Sequence, residues 1–305
     1  MIQVAASDTV NISRREKHSA ALKSVLAAVG LTGLKLVVGI MTNSLGILAE
    51  AAHSGLDLVA AVVTLMAVNA SAKPPDSDHH YGHGKIENLS ALFETFLLLV
   101  TCAWVIYESA SRMLFKVVEI DVSSWAFLVM IVSVVIDYSR SRNLSKVAKK
   151  FGSQALEADS LHFSTDIWSS LVVILGLALV RLGQLLPEFT QATMADSVAA
   201  LVVAFIVIYV SIRLGHRTVQ GILDHAPAGL REKIKQSVEQ IPGVYYCHQI
   251  RVRASGPKLF IDMHVLLDST QSLERAHSIT DQIEAIVREI APDSDVTVHA
   301  EPVQQ

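Results

Sequence analysis

The sequence predicts a membrane-embedded bundle of six α-helices followed by a small α+β domain. Of its 305 residues, 51% are hydrophobic and only 18% are charged, which is typical of a protein with several membrane spans. Long apolar segments recur between residues 18 and 214, and the first is long enough to cross a hydrocarbon core of about 30 Å. After Gly221 the composition changes, and no later segment is long enough to span a bilayer.

Six apolar segments define the predicted membrane spans, at about 18–41, 44–72, 88–113, 123–138, 156–182 and 193–214. The predicted order is a polar N-terminal tail (1–17), a transmembrane domain (18–214), a linker (215–224) and a C-terminal domain (225–305). Basic residues concentrate in the loops on one side of this bundle, which are Lys73 and Lys85, Arg140 to Lys150, and Arg213 with Arg217. The other side has only Arg112, Lys116 and Arg181 near its loops. The positive-inside rule therefore predicts that both termini are cytoplasmic.

Charge and cysteine content argue against nucleic-acid binding and against cysteine-based sites. The net charge of −4 gives no support to nucleic-acid binding. Cys102 and Cys247 are far apart and lack a CxxC partner, so neither a disulfide framework nor a cysteine-based zinc site is indicated. Each is expected to be a small buried apolar residue.

Two His-x-x-x-Asp pairs lie inside the second and fifth predicted spans. Four residues is about one helical turn, so His53 and Asp57 project from one face, as do His162 and Asp166. Two such helices side by side offer two nitrogens and two oxygens, which is a tetrahedral ligand set that Zn²⁺ accepts. The two carboxylates also balance the double charge of the ion where water cannot screen it.

A structural polar cluster is the alternative explanation, and ionisable residues within a membrane are costly enough to favour a functional site. The duller explanation is preferred for the other acidic residues of the spans, which are Glu50, Glu94, Glu108 and Asp159. Intramembrane charges commonly pair with one another, and Glu94 could pair with Lys35.

The loop after the second span, KPPDSDHHYGHGKIE, is rich in metal-ligating side chains. Pro74 and Pro75 end the helix before it. Asp76, His79 and His83 then make a plausible metal-binding loop, because short His-rich tracts commonly bind metals. A solvated polar loop is an equally good interpretation of these residues alone.

The C-terminal domain is predicted to have the order αββαβ, an open α+β sandwich. Its elements are a helix at 230–240, strands at 246–253 and 258–267 joined by a turn at 255–257, a helix at 272–290, and a strand at 295–301. Alternation in the second strand places Leu259, Ile261, Met263, Val265 and Leu267 on the apolar face.

Several histidines of this domain fall on the polar faces of the strands. His264, His299 and Glu301 could meet a metal there, and His248 and His277 could complete the cluster. Scattered surface histidines are at least as good an explanation from the sequence pattern alone.

These motifs together resemble the cation diffusion facilitator family. The resemblance rests on the two H-x-x-x-D pairs, the DHHYGHGKIE loop, and a last domain with SGP, FIDMH and VHAEP. It covers nearly the whole chain after the N-terminal tail. The family implies a homodimeric transporter that exports Zn²⁺ or a similar divalent ion in exchange for protons, with a ferredoxin-like cytoplasmic domain.

The resemblance also assigns roles to individual residues. The transport site falls on His53, Asp57, His162 and Asp166, and the loop site on Asp76, His79 and His83. The cytoplasmic cluster at the dimer interface falls on His248, His264, His277, His299 and Glu301, the last standing where some members have Asp. Lys85 and Asp224 stand where members form a salt bridge between protomers.

The expected protein is therefore not an enzyme but a Zn²⁺ exporter of a bacterial inner membrane, with Zn²⁺ as substrate and regulatory ligand. A membrane metallohydrolase would use similar ligands, but no HExxH motif is present. A membrane metal sensor without transport remains an alternative, as does an exporter that prefers Cd²⁺, Co²⁺ or Fe²⁺. Mn²⁺ is disfavoured because it prefers oxygen-rich octahedral sites.

Overall fold

The computed structural model describes residues 2–115, 124–185, 192–256 and 258–303. Sequence predictions that fall on Lys116, Ser123 and Pro257 lie outside the described residues. The chain divides into two compact units, one of residues 10–70 and 86–218 and the other of residues 1–9, 71–85 and 219–305.

Six long helices account for almost all of the first unit. They are α1 (Ile2–Thr42), α2 (Leu45–Ser71), α3 (Ile86–Phe115), α4 (Ser124–Phe151), α5 (Gln154–Leu185) and α6 (Ala192–Ile222). Four helical segments of the described chain are long and apolar enough to cross a membrane, at Asn11–Thr42, Ile47–Ser71, Ile86–Ser111 and Leu201–Ile222. A helical membrane region is thus present, and the count of six spans stays a prediction.

The helices extend beyond the predicted apolar segments. α1 begins at Ile2, and α6 continues to Ile222 through most of the predicted linker. The predicted basic loop after the fourth span is wrong, because α4 continues to Phe151 through all of its lysines and arginines. Lys and Arg favour helices nearly as well as Leu does.

Arg140 shows why this basic segment remains helical and packed. Its guanidinium is buried, donates to Asp137 at 3.1 Å and to Ser24 at 3.1 Å, and lies 3.5 Å from the centre of the Phe163 ring. Burial of a paired and stacked arginine lets a helix keep a charge inside the bundle.

Only Gly152 and Ser153 separate α4 from α5. Gly152 has a φ of +62°, and the Ser153 N–H donates to the Ala148 carbonyl at 3.1 Å, which closes α4 as a Schellman motif. The Ser153 hydroxyl oxygen faces the Leu156 N–H at 3.4 Å and donates to Glu87 at 2.5 Å. Ser153 thus ends one helix, caps the next and ties both to α3.

Ion pairs join α1 to α3, α1 to α4, and α5 to α6 in the first unit. Lys17 on α1 donates to Glu87 on α3 at 2.7 Å, and both side chains are almost fully buried, at 7% and 1% exposed. The adjacent Glu16 pairs with Lys150 at 2.7 Å, but both of these side chains are exposed. Neighbouring positions of α1 thus carry one buried and one exposed pair.

The second unit contains the small α+β domain. Its elements are α7 (Leu230–Val238), β1 (Val244–Ser255), β2 (Lys258–Leu267), α8 (Leu273–Ile290) and β3 (Asp295–Pro302), which confirms the predicted order. The sheet has the order β1-β2-β3, with β1 antiparallel and β3 parallel to β2. The predicted apolar residues of β2 pack on α7 and α8, so the domain has one helical face and one open sheet face.

A β-bulge interrupts β1 beside His248. Gln249 has a φ of +49°, and the register with β2 shifts between His248 and Arg251. The extra residue lets Cys247 and Ile250 both face the core although they are three positions apart. Burial raises the pKa of the Cys247 thiol to about 11, consistent with the predicted apolar role.

The loop before α3 packs against this domain within the second unit. The Tyr81 ring meets Phe260 edge-on at 5.1 Å, and the Arg253 guanidinium lies 3.6 Å from the centre of the Tyr81 ring. Gly84 lies so close to the Ser255 backbone that a Cβ there would overlap the Ser255 carbonyl oxygen. The loop is therefore held by close backbone packing as well as by ring contacts.

Candidate metal centres

α2 and α5 bring the four predicted transport-site residues together. His162 Nε2 lies 3.1 Å from Asp57 Oδ1 and 3.7 Å from Asp166 Oδ2. His53 Nε2 lies 4.0 Å from Asp57 Oδ1 and 3.9 Å from Asp166 Oδ1. Each histidine therefore contacts both carboxylates, the one on its own helix and the one on the other.

These distances suit a tetrahedral ion. Zn–N and Zn–O bonds of 2.0–2.2 Å separate neighbouring ligand atoms by about 3.3–3.6 Å. The four nitrogen–oxygen separations differ from that range by less than half an ångström, with His53 facing Oδ1 of Asp166 and His162 facing its Oδ2. His53, Asp57 and Asp166 can each offer an atom within 4.8 Å of the others, and His162 contacts both carboxylates of that group.

The two histidines differ in their surroundings. The His162 side chain is 4% exposed, whereas that of His53 is 40% exposed. The Phe163 ring meets the His162 ring edge-on at 5.5 Å. The site therefore has one buried side and one accessible side.

Glu94 approaches this site from α3, although its place in the sequence did not predict this. It is fully buried, and its Oε2 lies 3.8 Å from His162 Nδ1. The suggested pairing with Lys35 is wrong, because Lys35 donates instead to Glu50 at 3.2 Å and to Ser54 at 2.8 Å on α2. A carboxylate in the apolar run LFETFLLL was the available signal, but sequence gives no order of helices in space.

The loop residues Asp76, His79 and His83 also lie together. Asp76 faces His79 Nδ1 and His83 Nε2 at 3.3 Å each, and the two rings are 4.4 Å apart. The backbone N–H groups of His79 and Asp78 donate to the Asp76 carboxylate, and these bonds hold its pKa below the usual range. The turn thus presents an ionised carboxylate between two imidazoles.

The third cluster lies on the open face of the sheet. His248, His264 and His299 are direct neighbours across β1, β2 and β3 and form one row. Glu301 Oε1 lies 2.6 Å from His264 and 3.8 Å from His299, and its Oε2 lies 3.2 Å from His248. The hydrogen bond from His264 is the main cause that lowers the pKa of the Glu301 carboxyl.

His277 and Lys85 make contacts within the single chain, whereas the resemblance implies contacts at a dimer interface. His277 lies on α8, which packs on the opposite face of the sheet, and its Nε2 is 3.9 Å from Asp281. Lys85 pairs with Asp224 of the same chain at 2.8 Å and also donates to the Ile222 carbonyl. His277 is therefore outside the group of four, and the Lys85–Asp224 pair is intramolecular here.

Apolar helices around a cluster of His and Asp side chains, followed by a His-lined α+β domain, are the features expected of a membrane transporter of metal cations. Residues 21–223 match the cation efflux transmembrane domain, and residues 226–303 match the cytoplasmic domain of cation efflux proteins. The chain belongs to this family, the cation diffusion facilitators, whose members are integral membrane transporters of divalent metals and not enzymes.

Individual relatives span almost the whole chain. The cation-efflux pump FieF of Pectobacterium atrosepticum is 32% identical over 288 residues, which cover 91% of this chain and 92% of that protein. FieF of Serratia proteamaculans is 31% identical over 290 residues, covering 93% and 92% respectively. A solved structure of CzrB in its Zn form aligns with 26% of this chain and 90% of that chain at 25% identity, with a TM-score of 0.24.

Proposed function

We propose that this protein exports Zn²⁺ from the cytoplasm in exchange for protons. The observation that carries the proposal is the arrangement of His53, Asp57, His162 and Asp166, whose contacts of 3.1–4.0 Å suit a tetrahedral ion. Two imidazoles and two carboxylates favour Zn²⁺ over Mn²⁺, which prefers octahedral oxygen sites.

Proton exchange follows from the chemistry of the same ligands. A metal binds when the imidazoles are neutral and the carboxylates ionised, so bound metal and bound protons exclude each other. An unperturbed imidazole titrates near pH 6.5, within the range where a proton gradient acts. Metal would bind from the cytoplasm, and protons that enter from the other side would displace it.

The proposal includes an overall organisation. Six spans (18–214) follow the tail (1–17), a linker (215–224) leads to a ferredoxin-like domain (225–305), and both termini are cytoplasmic. The bacterial source of the related pumps supports a location in a bacterial inner membrane. The match to the cytoplasmic dimer domain supports a homodimer, in which Lys85 of each protomer would pair with Asp224 of the other.

The other two clusters are proposed as regulatory zinc sites. Asp76, His79 and His83 would bind one ion in the loop. His248, His264 and Glu301 would bind metal on the sheet, with His299 beside them in the same row. His277 would reach that row from the partner protomer, since its own helix packs on the opposite face. Metal shared by two domains would favour one arrangement of the dimer.

The test is Zn²⁺ uptake into proteoliposomes with an imposed pH gradient. Asp57→Ala and Asp166→Ala should each abolish gradient-dependent uptake, while Glu16→Ala, which removes an exposed acidic side chain of α1, should retain it. Uptake by Asp57→Ala at the parent rate would refute the assigned site. Tight zinc binding without flux in the parent chain would favour a sensor, and faster flux of Cd²⁺, Co²⁺ or Fe²⁺ would replace zinc as the preferred ion.

A further inference from the structure

Glu94 places a buried carboxylate behind one of the proposed metal ligands. It lies on α3 and has no exposed surface. An ionisable group at such a position in a membrane helix is costly and requires a specific partner. Thr64 of α2 donates to its Oε1 at 3.2 Å, which fixes one of the two carboxylate oxygens.

The other oxygen of Glu94 faces His162. Glu94 Oε2 and His162 Nδ1 are 3.8 Å apart, both are shielded from solvent, and neither has another hydrogen-bond partner among the described residues. Two orphan polar atoms that face each other are each costly to bury. A closing movement of about 0.8 Å would bring them to hydrogen-bond distance.

The two nitrogens of His162 therefore face different carboxylates. Nε2 points to Asp57 at 3.1 Å, within the proposed transport site, and Nδ1 points away from it to Glu94. A neutral imidazole carries one proton, so Nε2 can bind a metal only when the proton is on Nδ1. Ligating histidines almost always donate that second N–H to a carboxylate, a carbonyl or water.

Helix α2 closes this arrangement at both ends. Asp57 and Thr64 are seven residues apart and therefore lie on one face of α2. One contacts His162 directly, and the other holds Glu94. The His162 ring thus lies between two carboxylates. Asp57 is part of α2, and Glu94 accepts a hydrogen bond from Thr64 of α2.

We propose that Glu94 is a positioning residue for the transported metal, which holds His162 with Nδ1 protonated and Nε2 directed at the ion. This inference rests on the proposed function, because it needs a metal at the site of Asp57 and His162. Glu94 itself touches no metal, and it acts through the orientation of the ring.

The experiment separates the position of the acceptor oxygen from its charge. Glu94→Gln keeps the length of the side chain and a carbonyl oxygen but removes the charge. Glu94→Asp keeps the charge but withdraws the carboxylate from His162 by one methylene. The same two substitutions at Glu16, which is exposed and pairs with Lys150 away from the site, serve as matched controls.

Metal affinity and ligand geometry are both measured on the full chain, with Asp76→Ala and His264→Ala present to weaken the other two clusters. Zn²⁺ is titrated against a competing chelator, and Co²⁺ is used for its visible absorption, which reports coordination geometry. We expect Glu94→Asp to weaken Zn²⁺ binding by about 10–100-fold and to alter the Co²⁺ spectrum, and Glu94→Gln to remain within about threefold of the parent. Both Glu16 variants should match the parent.

Three outcomes would overturn the proposal. Parent-like affinity and spectrum in Glu94→Asp would make Glu94 merely structural. Weak Zn²⁺ binding by Glu94→Gln together with parent-like Zn²⁺ binding by Glu94→Asp would show that Glu94 acts through its charge. Absence of metal binding by the parent, or binding that Asp57→Ala leaves unchanged, would remove the proposed transport site and this inference with it.

Discussion

The buried ion pair between Lys17 and Glu87 makes a quantitative prediction about stability. Their charged atoms are 2.7 Å apart, and the side chains are 7% and 1% exposed. At an effective dielectric constant of about 20, that separation corresponds to a gross attraction of about 6 kcal/mol. Glu87→Gln keeps the shape of the side chain and its contact with Ser153, but it leaves the Lys17 ammonium without a countercharge in Glu87.

We expect Glu87→Gln to lower the free energy of unfolding by about 3–5 kcal/mol, because removal of one partner leaves a buried charge uncompensated. Glu16→Gln is the matched control, since Glu16 precedes Lys17 on α1 and pairs with Lys150 at the same 2.7 Å but in solvent. That exposed pair should contribute about 0–1 kcal/mol.

Thermal unfolding of the full chain in detergent, followed by circular dichroism, measures both variants. At about 2–4 °C per kcal/mol for a unit of this size, Glu87→Gln should lower Tm by roughly 6 °C or more. Glu16→Gln should change it by less than about 4 °C. Equal shifts in the two variants would show that burial does not decide the strength of these pairs.

Three further predictions concern the second unit. Gly84→Ala should increase proteolysis of the 71–85 loop, because its Cβ would overlap the backbone of the opposing strand, whereas Gly30→Ala meets nothing within 4 Å and should leave cleavage unchanged. Gln249→Gly should raise the unfolding free energy of the domain by roughly 0.5–1 kcal/mol, since glycine adopts the left-handed conformation without strain, and an unchanged or lower Tm would contradict this. The lowered pKa of Glu301 means that its bond with His264 stabilises the domain fully above the unfolded value of 4.5 and less as the pH falls below it. Thermal unfolding between pH 3 and 6 should therefore show a steeper acid loss in the parent than in Glu301→Gln, and parallel curves would argue against that bond.

Local pattern predicted the parts of the molecule that depend on local geometry. The i, i+4 spacing of His53 with Asp57 and of His162 with Asp166 sets which face of a helix they share, and the cost of charges in a membrane singled them out. Strand and turn signals likewise predicted the bounds of β2 as Lys258–Leu267, and alternation predicted its apolar face. These features need no knowledge of which helices are neighbours.

Features that depend on spatial neighbours were not predicted correctly. The pairing of Glu94 with Lys35 failed because Lys35 reaches α2, while Glu94 faces α2 and α5. The basic segment of α4 was predicted to be a loop because charged residues usually face solvent. The sequence does not show that Arg140 packs on Phe163 and Ser24. The bulge at Gln249 follows from the register with β2, and the spacing of Cys247 and Ile250 was its only sequence signal.

The junction at Gly152 and Ser153 leaves no slack between α4 and α5. With one helix closed and the next begun inside two residues, the pair forms a stiff hairpin, and His162 and Asp166 are carried on one of its arms. His53 and Asp57 are carried on α2, so the proposed metal ligands are divided between α2 and the α4–α5 hairpin. An ion bound by all four side chains would therefore join α2 to the hairpin. A movement of the hairpin away from α2 by an ångström or two would separate the two pairs of ligands and release the ion in one step.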